Sequence, residues 1–114
     1  MIIKHFEAIK AEPVTTAGAT KTKIRWLITK ADGATGYAMR VFEMEPGAVI
    51  PSHTHDFEQH EIFVLEGSAK VTSGGKEFRA KKGDAIFVPV GEAHSYINDG
   101  KKPFKFICVI PVKP

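Results

Sequence analysis

The chain has 114 residues, 43% hydrophobic and 25% charged, with a net charge of +3 at pH 7. These are ordinary globular values, enough for one hydrophobic core and too few residues for two. The lysines run from Lys4 to Lys113 without forming a basic stripe, which argues against a nucleic-acid interface, and no apolar run approaches the roughly 20 residues of a membrane span. The N-terminus MIIKHFEAIKAEP lacks the long apolar core of a secretory leader, and the single Cys108 cannot form an internal disulfide. A cytoplasmic protein is the expectation.

Taken in chain order, the first 20 residues, ending in AEPVTTAGAT, show no periodicity and read as irregular. KIRWLIT (23–29) and YAMRVFEM (37–44) then read as strands around the turn signal ADGATG, and EPGA (45–48) reads as another turn. HEIFVLEG (60–67) follows the short turn DFEQ. AKVTS (69–73) and EFRAK (77–81) form a hairpin about Gly74-Gly75, where a tight turn requires positive φ. AIFVPV, HSYIN and FKFICVIPV complete eight strands, separated by KKGD, PVGE and NDGKKP. So many short strands at this spacing predict an all-β sandwich or barrel of packed antiparallel sheets, formed as a single domain over residues 1–114.

Three of the five histidines fall within HTHDFEQHE, residues 53–61. His53 and His55 are two apart, so on extended backbone both rings leave the same face, with Cα atoms roughly 7 Å apart. Two imidazoles so placed can converge on one divalent transition metal, whose nitrogen ligands lie at about 2.0–2.2 Å. His60, opening the next strand, and His94, after the Pro-Val-Gly turn, are the candidates for the remaining positions. His5 has no partner in sequence and reads as a surface or structural residue.

GAVIPSHTHDFEQHEIFVLEG and GDAIFVPVGEAHSYIN together resemble the two motifs of the cupins. Gly47, His53, His55, position 60 and Gly67 match the first motif (47–67). Gly83, Pro89, Gly91, His94 and Asn98 match the second (83–98). The resemblance implies a cupin jelly-roll β-barrel whose metal is held by His53, His55, His60 and His94. The chain departs from the family at position 60, where a glutamate ligand is usual. Glu61 would fill that role only if the spacing on both sides missed by one residue, and strand alternation aims 60 and 61 at opposite faces. Glu58 and Gln59, in the connecting turn, are weaker rivals. Pro89, Gly91 and Asn98 read as structural.

Four neutral imidazoles leave a bound ion its full charge, which makes it a stronger Lewis acid and a weaker reductant than a carboxylate-ligated one. Mn or Fe is the expected ion; Ni, Cu, Co and Zn also accept imidazole. Alternation in the last strand sends Phe104, Phe106, Cys108 and Ile110 inward with Phe42 and Met44, giving an apolar pocket wall. Cys108 either lines the cavity or fills space as a small apolar residue. Arg40 shares the face of Phe42, and is either paired with a carboxylate or available to an acidic substrate. The resulting expectation is a metal-dependent oxygenase or related oxidoreductase acting on a small, partly apolar molecule. The alternative is a non-catalytic module that binds a small molecule or metal. Apolar residues on both faces of EIFVLEG, together with Trp26, Leu27 and Ile28, predict a homodimer, with N-terminal strand exchange as in many cupins.

Overall fold

The computed structural model describes residues 1–55 and 57–113. Its strands are β1 (Glu12–Pro13), β2 (Thr20–Ile28), β3 (Tyr37–His53), β4 (His60–Glu66), β5 (Ser68–Ser73), β6 (Lys76–Lys81), β7 (Ala85–Val88), β8 (His94–Ile97) and β9 (Phe104–Pro111). Every pairing is antiparallel. The eight predicted strands are all present, and the fold is the expected all-β antiparallel barrel. The predicted turn at 56–59 begins at Asp56, outside the described residues.

β3 organises the molecule, because its two halves serve different parts of the sheet. Tyr37 to Met44 pair with β9, in register from Tyr37 with Pro111 to Met44 with Phe104, and Met39 to Met44 also pair with β2. Val49 to His53 pair with β8. From β3 the order runs outward through β9, β4 and β7 on one side and through β8, β5 and β6 on the other. The sheet curls so that residues from both sides, among them Met44, Val64, Val71, Phe104 and Phe106, form one core.

This corrects the turn expected at EPGA. The chain bends there without reversing, and β3 continues through it. Gly47 has φ +85°, and its N–H donates to the Asn98 carbonyl at 2.8 Å, while Asn98 N–H donates to Ala48 O at 2.9 Å. The local ladder is thus satisfied across a kink that only a left-handed residue accommodates. The hairpin at Gly74 and Gly75 is as expected, with φ of +56° and +78°.

The opening segment is more ordered than its sequence suggests. Residues 6–8 form a 3-10 turn, and Glu12 and Pro13 pair with Ile24 and Lys23 of β2. Arg25 joins this segment to the sheet: its Nε donates to Ile9 O at 3.1 Å, its guanidinium packs on Phe6, and it forms an ion pair with Glu43. Among the described residues no helix is long and apolar enough to cross a membrane.

Candidate metal centre

His53 ends β3, His60 opens β4 and His94 opens β8, while His55 lies in the loop beyond β3. Antiparallel register sets His53 opposite His94, with ring centroids 4.2 Å apart. His55 lies 5.0 Å from both His53 and His60, and His60 lies 5.0 Å from His94. The loop carrying His55 is tied to the turn before His94, since Gly91 N–H donates to His55 O at 3.0 Å. Gly91 has φ +78°, a left-handed conformation that favours glycine, whereas a Cβ there would meet nothing within 4 Å, so its role is conformational rather than the close backbone approach expected of it.

Candidate ligand atoms of His53, His55 and His94 lie within 4.8 Å of one another, as do those of His55, Glu58 and His60. His53 Nδ1 lies 2.8 Å from Pro51 O and His94 Nδ1 2.9 Å from Glu92 O. A carbonyl can only accept, so each Nδ1 carries the proton and each Nε2 keeps a free lone pair. His60 is 4% exposed, and its Nε2 is buried without a hydrogen-bond partner. A buried imidazole nitrogen left unpaired is costly unless something coordinates it. The donor set therefore fits a divalent transition metal.

Burial favours the neutral form of His60 and His94, the form a metal requires. Burial, then the Arg40 charge, then His94, His55 and His53 hold the His60 pKa down to about 3. Burial also lowers that of His94, although its bond to the Glu92 carbonyl opposes the shift. Glu61 is exposed on the opposite side of β4, as alternation from His60 predicts.

A cavity of about 280 Å³ opens beside the histidines, walled by Arg40, Phe42, Phe106, Cys108 and Ile110 among others. Register explains the wall: Arg40 lies opposite Cys108, Phe42 opposite Phe106 and Ala38 opposite Ile110. Phe42 and Phe106 stack with centroids 4.9 Å apart. Met44 and Phe104 do point inward, but they are fully buried in the core and lie outside the cavity wall. They pair one step further along β3 and β9, near the Gly47 bend, where core side chains have closed the interior.

Several wall residues are additions to the sequence reading. Trp26 is exposed as expected, at 39%, and also lines the cavity with its ring centre 5.3 Å from the Arg40 guanidinium carbon. Its alternation with buried Thr22 and Ile24 was the available signal. Tyr96, two residues beyond His94 and edge-on to it at 5.8 Å, follows the same rule. Glu12 to Thr16, from the segment read as irregular, also contribute to the wall. Glu58 enters it too, with Oε2 3.8 Å from His55 Nδ1.

A family model described as the cupin domain matches residues 40–110. The tetracenomycin polyketide synthase protein TcmJ of Streptomyces glaucescens is 33% identical over 92 residues, 79% of this chain and 62% of that protein. The chain thus spans less than two thirds of that curated relative. The structure of the polyketide cyclase RemF from Streptomyces resistomycificus superposes with a TM-score of 0.93 at 36% identity, covering 99% of this chain and 80% of that one. A predicted oxalate decarboxylase from Thermotoga maritima superposes with a TM-score of 0.87 at 23% identity, covering 98% of this chain and all of the other, a likeness of fold alone.

Proposed function

The chain belongs to the cupin family, and we propose that His53, His55, His60 and His94 hold one divalent transition metal that activates an enolisable carbonyl compound. The observation that carries this reading is a pair of ligand clusters that share His55, one of His53, His55 and His94 and one of His55, Glu58 and His60, with a buried and unpartnered Nε2 on His60. Such an ion, when bound, would polarise a substrate carbonyl as a Lewis acid and acidify the adjacent C–H.

The chain's own residues divide the remaining work. Phe42, Phe106 and Ile110 offer an apolar wall that excludes water and suits a small, partly apolar molecule. Glu58 is the half-buried carboxylate beside His55 and His60, suited to accept a proton from the carbon next to that carbonyl. Likeness to a polyketide cyclase and to a polyketide synthase protein supports the same substrate chemistry, because polyketides carry repeated, readily enolised carbonyls.

An oxygenase using O2 as co-substrate is the second reading, favoured by the aromatic residues of the cavity wall. The weaker reducing power of an ion with four neutral ligands counts against it. Zinc has no redox chemistry and separates the two. Zn-loaded protein is expected to convert β-dicarbonyl compounds about as fast as Mn- or Fe-loaded protein, without consuming O2. Turnover confined to Mn or Fe and coupled to O2 uptake would replace this proposal with the oxygenase. Absence of turnover with every ion would leave a binding module.

A further inference from the structure

Arg40 is only 8% exposed, yet it carries a full charge into the cavity wall. Its Nη2 donates to Cys108 Sγ at 3.0 Å and lies 3.4 Å from His60 Nδ1. The guanidinium carbon lies 5.3 Å from the ring centre of Trp26 and 5.0 Å from that of Phe42. Among the described residues no carboxylate pairs with it, and its Nε is buried without a hydrogen-bond partner. The surrounding ring faces offset only part of the cost of burying an unpaired cation.

Charge in the site points the same way. With a divalent ion bound, the cavity would hold more positive charge, counting Arg40, than the carboxylates of Glu58 and of Glu12 at its wall offset. A guanidinium with a free edge donor is suited to a planar carboxylate, which can accept two parallel hydrogen bonds. We infer that Arg40 anchors a carboxylate carried by the substrate, which makes the substrate an acidic β-dicarbonyl compound with its carbonyl end at the histidines. This inference rests on the metal reading above. Arg40 then determines specificity, while the histidines and Glu58 serve the reacting end. The short Arg40 to His60 distance limits the separation between the carboxylate and the carbonyl end to a few carbons.

Two probes isolate the anchor. Succinylacetone and butyrylacetone share a β-diketone head and a three-carbon tail, and differ only in a terminal carboxylate against a methyl group. After metal analysis, loaded wild-type protein and its Arg40→Met and Arg40→Lys variants are titrated calorimetrically with each. Wild type should bind succinylacetone at least about tenfold more tightly than butyrylacetone. Arg40→Met should erase that preference and leave butyrylacetone affinity within about twofold. Arg40→Lys, which retains charge without the fork, should keep a weakened preference, and it covers the case in which the methionine variant does not fold. Free of probe, Arg40→Met should melt no lower than wild type, because an apolar side chain replaces an unpaired buried charge. A preference that survives Arg40→Met, or a metal-loaded wild type that shows none, overturns the inference while the metal reading stands. Wild type that takes up no metal overturns the metal reading, and the inference falls with it.

Discussion

His60 shows how a single residue couples the site to stability. Its folded pKa is held to about 3, first by burial and then by the Arg40 charge, against an ordinary value of 6.5. In the metal-free protein the unfolded chain therefore takes up a proton at His60 near pH 6.5, whereas the folded chain resists until about pH 3. Stability from this ring is complete above pH 6.5 and declines as the pH falls towards 3, and lowered His94 acts in the same direction. Urea midpoints of metal-free protein should be flat in this respect above that window and fall through it. A midpoint rising on acidification would contradict the account. His53 and His55 were legible from period-two spacing, and His60 from the gap to Gly67. Glu58 was readable only as a weaker rival for the ligand position, because its approach depends on the path of a loop that no periodicity describes. The inward direction of Arg40 followed from its neighbours on β3, but its lack of a carboxylate partner is a property of three dimensions.

Among the elements, β3 depends on a side chain outside itself. Asn98 is fully buried; its Nδ2 donates to Met44 O at 3.0 Å and to Lys102 O at 2.9 Å, and its Oδ1 accepts from Gly100 N–H at 3.1 Å. One amide thus fastens the bend in β3 to the exit from β8 and the loop before β9. Asn98→Ala leaves these groups without partners, at about 1–3 kcal/mol for each that stays buried. Asn98→Asp fares little better, because a carboxylate cannot donate to either carbonyl. Both variants should unfold at clearly lower urea concentration than wild type, and wild-type midpoints for both would refute the assignment. The sequence marked Asn98 as structural and read EPGA, which contains Gly47, as a turn. It did not reveal that the two meet, so the bend read as a reversal. Strand identity was easier to read, because alternation of buried and exposed residues reports one face directly, as in β9.

At the scale of the whole molecule, the outer face of β4 and β7 is unexpectedly apolar for a surface. Phe63 is 48% exposed and Phe87 59%, with Leu65 also exposed and Ile107 and Val109 half-buried alongside. The N-terminal segment packs about Arg25 at the β2 end of the sheet. We propose that a second copy of the chain covers the remainder, through a two-fold contact centred on Phe63 and Phe87. Trp26 is exposed too, but at the cavity on β2 rather than on this face. Sedimentation at micromolar concentration should show a dimer that Phe63→Glu weakens; a wild-type monomer would dismiss it. Among the described residues all strands join one continuous sheet.

The metal content of the purified protein, measured with His60→Ala and Glu61→Ala beside it, tests the central claim most directly. His60 faces the cluster and Glu61 faces away, so adjacent substitutions on one strand give opposite predictions. Wild type and Glu61→Ala should each hold one divalent transition metal per chain. His60→Ala should lose affinity by more than the roughly 10–100-fold that removal of an outer-shell partner costs. A wild type without metal, or a His60→Ala variant that keeps its ion while Glu61→Ala loses it, would contradict the four-histidine site.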